Sequence, residues 1–329
     1  MDGPQKRLKV AVVMGGFSEE REISLLSGAN VCKHLDPKIF EVFPIDISET
    51  SWECILDTKR YPIDKRDFSL QLNEKVIRFD VVFNAIHGSP GENGLLAAYF
   101  ELLGIKQTAS DHYSSAISFN KRDLLCIARE LGIPTAKSEA IHYNNLEDYS
   151  TIIEQLKLPV FVKANRSGSS FGIEKIEVAE ALPAAIKRVA EVDKDVLIEE
   201  ALVGPEITIG VVRLNGKLEA LPATLIETEN VFFDYEAKYQ GASREITPAP
   251  LPQTMIDTAN KMAIKLHDYL GLQGVSRSEF ILVDGVPHLL EINTTPGLTK
   301  KSLIPQQIAA HGSNLAALFE AMIHEALSH

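Results

Sequence analysis

Charged and amide side chains recur at alternate positions in two apolar segments near the C-terminal end of the sequence. Arg277 and Glu279 lie in the first segment, and Glu291 and Asn293 lie in the second. Because side chains of a strand point alternately to opposite faces, the members of each pair share a face. Three oxygen ligands without histidine or cysteine suit Mg²⁺ held with substrate phosphates, and Arg277 would neutralise charge on a transferred phosphoryl group. We therefore predict a metal site of Glu279, Glu291 and Asn293; the alternative is a network of structural salt bridges.

The turn between these two segments tests the metal site. Asp284-Gly285 is typical of a two-residue hairpin turn. Regular pairing from such a turn would place Glu279 opposite Leu290 and would direct the carboxylates of Glu279 and Glu291 to opposite faces. A shared metal site requires an odd-length turn or a β-bulge, and we predict that one is present.

A lysine within an apolar run marks a second place where chemistry is expected. Lys163 ends the run Val160-Phe161-Val162-Lys163, and an ammonium group is costly to bury without an anion. The segment 166–172, rich in Gly and Ser, follows, and its successive N–H groups can form an anion-binding nest. It lacks the Gly-Lys-Ser/Thr ending of a Walker A loop. A phosphate would be one partner for Lys163, and a plain hairpin loop is the alternative interpretation of the segment.

Two adjacent acids follow another apolar run. Glu199 and Glu200 end the run that begins at Val196, and Glu206 follows a Gly-Pro turn. A strand end offers backbone donors and acceptors to a planar base, and carboxylates accept hydrogen bonds from an exocyclic amine and from ribose hydroxyls. The alternative is a solvated acidic turn.

Composition narrows the class of protein. The chain has 329 residues, which predicts two or three domains at about 150 residues each. Its formal net charge of −12 argues against non-specific binding to nucleic acid or to an anionic membrane. No apolar run approaches the roughly 20 residues of a membrane helix. The three cysteines form no CxxC pair, which favours a reducing, cytoplasmic location.

Hydrophobic periodicity predicts an α/β chain in three parts. Residues 1–107 are expected to form an open α/β domain, with strands at Leu8–Met14, Phe40–Ile45 and Asp80–Ile86. Residues 108–201 and 202–329 are expected to form α+β domains. The last begins with a hairpin about Asn215-Gly216 and contains an irregular stretch, 229–252, of the kind that forms active-site lids.

Five motifs occur in an order that resembles one family, and the resemblance extends from about Lys9 to Pro305. They are Gly15-Gly16-Phe17-Ser18-Glu19-Glu20-Arg21-Glu22-Ile23-Ser24-Leu25, His87-Gly88 with Gly91-Glu92-Asn93-Gly94, the segment 163–172, Phe233-Asp234-Tyr235-Glu236-Ala237-Lys238-Tyr239, and Glu291-Ile292-Asn293-Thr294-Thr295-Pro296-Gly297. The chain resembles the D-alanine–D-alanine ligase family of ATP-grasp carboxylate–amine ligases.

The resemblance implies a fold and a reaction. The implied fold is a three-domain ATP-grasp fold, in which an N-terminal open Rossmann-like α/β domain precedes two α+β domains that clamp ATP. The implied reaction phosphorylates the carboxylate of one D-alanine with ATP, and the amine of a second D-alanine attacks the acyl phosphate to give a dipeptide for peptidoglycan precursors. ATP is the implied co-substrate, with two Mg²⁺ ions that Mn²⁺ can replace, and the implied assembly is a homodimer.

The resemblance also implies roles for individual residues. Glu20 would hold the ammonium of the first substrate and would be linked to Ser169 and the lid residue Tyr239. Arg277 and the N–H of Gly297 would stabilise the oxyanion. Groups near the substrate carboxylates would be His87, Ser302 and Leu303. The implied nucleotide contacts are Lys121, Lys163, Ser170, Glu199, Glu200, Leu202, Glu206, Phe232, Lys238 and Leu290.

The sequence departs from the family pattern at two positions, Glu279 and Glu200. Glu279 stands where the family usually has aspartate, and the extra methylene can change the distance to the metal. Glu200 stands where some members have lysine, and we expect a backbone contact there. D-serine as the second substrate, another ATP-grasp ligase and a non-catalytic nucleotide-binding protein remain alternatives. A nicotinamide dehydrogenase is disfavoured because Gly15-Gly16 is followed next by Gly28, which breaks the GxGxxG pattern.

Overall fold

A computed structural model describes residues 6–145, 150–168, 171–214, 216–228 and 243–329. In these ranges three β-sheets are flanked by helices. None of the helices within them is long and apolar enough to cross a membrane. The predicted residues Ser169, Ser170, Phe232, Lys238 and Tyr239 lie outside the described ranges.

The N-terminal sheet has the strand order β6-β5-β4-β3-β2-β1-β7. Strand β1 lies between β2 and β7 and is parallel to both. The strands of this sheet and the helices between and after them are β1 (Leu8–Gly15), α1 (Arg21–His34), β2 (Phe40–Ile47), β3 (Trp52–Leu56), β4 (Lys59–Asp64), β5 (Ser69–Leu72), β6 (Lys75–Ile77), β7 (Val81–Asn84) and α2 (Leu95–Leu102).

Two features of this sheet differ from the sequence prediction. Strand β2 was expected to end at Ile45, but it continues to Ile47, and β3 pairs with it over Ile45, Asp46 and Ile47. Strands β3 to β6, over residues 52–77, extend the sheet by antiparallel pairing. They are short, and polar residues interrupt their apolar pattern, so periodicity did not indicate them.

The central sheet has the order β10-β9-β11-β8 and is antiparallel throughout its described pairs. Helix α4 precedes this sheet. Its N-cap is Asn120, whose side chain accepts a hydrogen bond from the N–H of Asp123 at 3.2 Å. The elements are α3 (His112–Phe119), α4 (Lys121–Glu130), β8 (Ser138–His142), α5 (Ser150–Gln155), β9 (Val160–Ala164), β10 (Ile173–Ile176), α6 (Leu182–Val189) and β11 (Asp195–Glu200).

The C-terminal sheet has the order β15-β14-β12-β16-β17, and β13 also pairs with β12. Strand β15 lies within the stretch 229–252 that was predicted to be irregular, so that prediction is wrong for residues 243–246. The elements are β12 (Glu206–Leu214), β13 (Lys217–Ala220), β14 (Thr224–Thr228), β15 (Ser243–Ile246), α7 (Gln253–Tyr269), β16 (Val275–Val283), β17 (Val286–Asn293), α8 (Leu303–Ala310) and α9 (Leu315–Ser328).

Hydrophobic cores join the first and last sheets. Val12 of β1 and Val212 of β12 belong to one core with Phe319 of α9. The central sheet has a separate core that includes Val162 and Ile186. Because the shared core fixes the ends of β1 and β7 against the loop after β17, polar groups from distant parts of the sequence meet there.

Candidate active site

The two metal-binding candidates Glu279 and Glu291 are directly opposite each other on strands β16 and β17. Val283 pairs with Val286 across the two-residue turn, and regular pairing continues as far as Phe280 and Leu289. The register then shifts, so that Leu290 is the extra residue of a β-bulge. The predicted bulge is confirmed, and it places both carboxylates on one face of the sheet.

Arg277 and Asn293 complete this face, again as direct cross-strand partners. The Nη2 atom of Arg277 lies 2.7 Å from Oε1 of Glu279, and Nδ2 of Asn293 donates to the same oxygen at 3.3 Å. Lys121 Nζ lies 3.3 Å from Oε2 of Glu291. Each carboxylate therefore faces a cation.

The donor set fits Mg²⁺. Within the described ranges, no group of three His, Cys, Asp or Glu side chains is placed to hold a metal ion. The donors on this face are the carboxylates of Glu279 and Glu291 and the amide oxygen of Asn293, and these would hold a metal. Phosphates and water would fill its other positions, as is usual for Mg²⁺.

A cleft of about 710 Å³ lies between the central and C-terminal sheets and includes the carboxylate face. Of the nucleotide contacts implied by the resemblance, those in the described ranges line this cleft. They are Lys121, Lys163, Glu199, Glu200, Leu202, Glu206 and Leu290. The structure thus brings together residues that are 169 positions apart in the sequence, from Lys121 to Leu290.

Lys163 forms a buried ion pair with Glu199 of the neighbouring strand β11. Burial alone would lower the pKa of Lys163, but the charge and hydrogen bond of Glu199 outweigh it, with help from Glu291 and Glu206, so the pKa is raised. Lys163 therefore carries its charge into the cleft. The carboxylate of Glu200 accepts from the N–H of Lys157 at 2.9 Å.

The helix that carries Lys121 is anchored to the strand that carries Lys163. The N–H of Lys121 donates to the carbonyl of Asn165 at 3.1 Å, and Lys121 Nζ donates to the carbonyl of Ser167 at 2.6 Å. The side-chain oxygen of Asn165 accepts from the N–H of Arg122 at 2.9 Å. These contacts place both lysines on the same side of the cleft.

His87 links the end of the N-terminal sheet to the loop that follows β17. Its Nδ1 lies 2.6 Å from the carbonyl oxygen of Thr295, and its Nε2 lies 2.9 Å from Oγ of Ser27. A carbonyl can only accept, so Nδ1 carries the proton and Nε2 accepts from the serine. Burial is the main cause of a lowered pKa at His87, which keeps the ring neutral near pH 7.

Glu92 makes a second link between the same two loops. One carboxylate oxygen accepts from the N–H of Gly88 at 3.0 Å, and the other accepts from the N–H of Thr294 at 3.2 Å. Burial, reinforced by the charge of Glu20, raises the pKa of Glu92 to about 7. Sequence reasoning missed Glu92 and Ser27 as contributors to the site, although Glu92 lies in a motif after a predicted strand end.

Glu20 lies at the start of α1, beside two glycines. A Cβ atom at Gly168 would lie 2.8 Å from Oε2 of Glu20, and one at Gly88 would lie 3.1 Å from it. Gly88 has a positive φ of 66°, and a Cβ there would also lie 2.9 Å from Cβ of Ser18, so a side chain at this position is strained, whereas one at Gly168 would displace only the end of the Glu20 side chain. Glu20, Gly88 and Gly168 line a cleft of about 1280 Å³.

The remaining predicted residues lie together in a third cavity, of about 550 Å³. Arg277, Gly297, Ser302 and Leu303 all line it. Ser302 precedes α8, and its Oγ accepts from the N–H of Thr299 at 3.1 Å. Because Arg277 lines this cavity and also contacts Glu279, it lies between the cavity and the carboxylate face.

Comparison with known proteins places this geometry in one family. The family model described as D-ala D-ala ligase N-terminus matches residues 9–110. The family model described as D-ala D-ala ligase C-terminus matches residues 127–324. A D-alanine--D-alanine ligase of Flavobacterium johnsoniae is 45% identical over 97% of this chain and 99% of its own. One from Christiangramia forsetii is 44% identical over 97% of this chain and 98% of its own.

Solved structures agree in fold. The VanG D-Ala:D-Ser ligase from Enterococcus faecalis has a TM-score of 0.87 at 29% identity and covers 98% of this chain and 100% of its own. The D-alanyl-alanine synthetase A from Vibrio cholerae has a TM-score of 0.87 at 26% identity, covering 98% of this chain and 99% of its own. These similarities confirm the expected ATP-grasp fold. The chain belongs to the D-alanine–D-alanine ligase family.

Proposed function

We propose that this chain is an ATP-dependent ligase that joins two D-alanines into D-alanyl-D-alanine, with release of ADP and phosphate, for peptidoglycan precursors. One observation carries the proposal: the bulge at Leu290 brings Glu279 and Glu291 to one face, where Arg277 and Lys121 also meet. Such a face combines metal ligands with cations for phosphates, as phosphoryl transfer to a carboxylate requires.

The cations of the cleft have a consistent chemical role in this reaction. Lys121 and Lys163 would bind phosphate oxygens, since both ammonium groups point into the nucleotide cleft beside the carboxylate face. Glu199, Glu200 and Glu206 would bind the base and ribose, and Leu202 and Leu290 would pack against the adenine. Ser170, Lys238 and Phe232 are proposed to complete the nucleotide site from outside the described ranges.

The substrate side is built around Glu20, His87 and Arg277. Glu20 would bind the ammonium of the first D-alanine, and neutral His87 would position the nearby loop through Thr295. Arg277 and the N–H of Gly297 would stabilise the oxyanion of the tetrahedral intermediate. Ser302 and the backbone at Leu303 would bind the carboxylate of the second D-alanine.

Two further proposals concern the metal and the lid. A metal bound by Glu279, Glu291 and Asn293 would supply positive charge at the phosphates, and we propose two Mg²⁺ ions there, with Mn²⁺ able to substitute. We also propose that Tyr239 and Ser169 join Glu20 when the part of the stretch 229–252 that precedes β15 closes. Tyr239→Phe should then lower turnover while the thermal unfolding midpoint stays unchanged; unchanged turnover would contradict the role.

The direct test is phosphate release from ATP and Mg²⁺ with D-Ala, L-Ala, D-Ser, or D-Ala together with D-Ser or D-lactate, and identification of the products by mass. We expect release with D-Ala alone and formation of its dipeptide. Phosphate release with D-Ser only in the presence of D-Ala would favour the D-Ala–D-Ser alternative. The similarity to the VanG D-Ala:D-Ser ligase is the reason to test it. ATP binding without turnover with any acceptor would support a non-catalytic nucleotide-binding protein.

Three broader proposals accompany this function. The domains are proposed to span residues 1–107, 108–201 and 202–329, the last carrying the lid stretch 229–252. The protein is proposed to act as a cytoplasmic homodimer. Analytical ultracentrifugation tests the dimer, and a monomer at micromolar concentration would contradict it.

A further inference from the structure

The cavity of about 550 Å³ beside Arg277 has an unequal distribution of charge. Four cationic side chains line it: Arg277, Lys33, Lys300 and Lys301. Among the described residues of its lining, Glu245 supplies the one carboxylate. An amino acid binds as a zwitterion, so a site for it needs donors for its carboxylate and an acceptor for its ammonium.

Glu245 is held in place by helix α8, whose first residues also line the cavity. It lies on β15, and its Oε2 accepts from Nε2 of Gln306 in α8 at 2.6 Å. Nε2 of Gln306 also donates to the carbonyl of Lys301 at 3.1 Å, which fixes the amide. Within the described part of the chain, no donor is bound to Oε1 of Glu245. One oxygen therefore remains available to a ligand.

The surroundings of Glu245 favour the binding of a cation beside its carboxylate. Burial raises the pKa of Glu245, while the hydrogen bond from Gln306 and the charge of Arg277 lower it in part. A bound ammonium would offset the cost of burial. Glu20, the proposed partner of the first substrate's ammonium, lines a different cavity, so each cavity has a carboxylate of its own.

We propose that Glu245 binds the ammonium group of the second D-amino acid and so selects an amine over a hydroxyl acceptor. This inference rests on the proposed ligase function. The carboxylate of the same substrate would lie toward Ser302 and the lysines, and its amine would lie between Glu245 and the oxyanion site at Arg277 and Gly297. A hydroxy acid such as D-lactate has no ammonium and gains nothing from Glu245.

The test compares Glu245→Gln with the wild-type protein. Glutamine keeps the shape of the side chain but removes its charge. We expect the KM for D-alanine at the second site to rise about 10- to 100-fold, as for one lost hydrogen bond to a charged group. The KM for ATP should not change, and the share of D-alanyl-D-lactate formed from mixed D-Ala and D-lactate should increase.

Two variants make the test specific. Glu245→Asp keeps the charge and should restore most of the preference for D-alanine over D-lactate. Glu219→Gln removes an exposed carboxylate paired with His311 and serves as the matched control. The inference is overturned if Glu245→Gln leaves both the second-site KM and the acceptor preference unchanged, or if the loss is equal for D-Ala and D-lactate. A wild-type protein that makes no dipeptide would instead overturn the proposed function.

Discussion

Glu279 and Glu291 face each other across adjacent strands because one residue, Leu290, is inserted between two regularly paired regions. Without that insertion, the two carboxylates would point to opposite sides of the sheet. A metal site shared by these two residues would thus depend on backbone register as much as on the identity of its side chains.

The register relationship leads to a prediction about Glu279. Glu279→Asp keeps the carboxylate and should retain activity, with a shifted Mg²⁺ dependence because the oxygen is withdrawn by one methylene. Glu291→Gln should lower turnover by about 100-fold or more, since a neutral ligand binds the metal poorly and leaves phosphate charge uncompensated. Initial rates measured against Mg²⁺ concentration test both changes. Full activity of Glu291→Gln at limiting Mg²⁺ would argue against its role as a ligand.

The ion pair of Lys163 and Glu199 should contribute separately to stability and to nucleotide binding. Lys163→Met leaves the carboxylate of Glu199, whose side chain is only 4% exposed, without its partner. We expect a loss of about 3–5 kcal/mol in the free energy of unfolding and a raised KM for ATP. Urea denaturation and ATP titration measure the two effects.

The double variant Lys163→Met with Glu199→Gln separates these contributions. It removes both charges, so stability should largely return while the KM for ATP stays high. Recovery of ATP binding together with stability would show that Lys163 acts only as a structural partner.

Glu92 predicts a pH dependence of stability. Its pKa is raised from 4.5 to about 7 in the folded protein, so the folded state holds the proton more tightly than the unfolded chain. The stabilising effect of the bound proton is therefore complete below pH 4.5 and is lost as the pH rises through 7, on the order of 3 kcal/mol. Glu92→Gln should flatten this slope in denaturation measured between pH 4.5 and 8, whereas the exposed change Glu320→Gln should not. An unchanged slope in Glu92→Gln would contradict the buried titration.

His87 should matter through its two hydrogen bonds rather than through charge. His87→Ala leaves the carbonyl of Thr295 and the hydroxyl of Ser27 without their ring partner. We expect kcat/KM for D-alanine to fall about 10- to 100-fold, with a smaller effect on the KM for ATP. The matched control is His324→Ala, because the His324 side chain is 58% exposed on α9. Equal losses in the two variants would rule out a specific positioning role.

Much of the arrangement proposed to bind metal and nucleotide was predictable from local sequence. Charges within apolar strands indicated Lys163, Arg277 and Glu291, and the conflict between turn length and chemistry predicted the bulge near Leu290. A β-bulge is a local feature, so two short segments contain the information needed to predict it.

Other parts of the site depend on contacts that sequence periodicity does not show. Glu92 acts through the N–H of Thr294, 202 positions away in the sequence. Glu245 lies in a stretch predicted to be irregular, and only the pairing of β15 with β14 places it at a cavity. The strands over residues 52–77 were missed because each is short and pairs with its neighbour, so pairing outweighs weak local preference.

The three cations that face the proposed phosphate site already have anionic neighbours: Lys121 with Glu291, Lys163 with Glu199, and Arg277 with Glu279. Each of these cations is thus paired with a carboxylate. Phosphates that drew these cations toward themselves would leave the carboxylates of Glu279 and Glu291 to a metal ion. Either ligand alone would leave charges of one sign uncompensated, so each should strengthen the binding of the other.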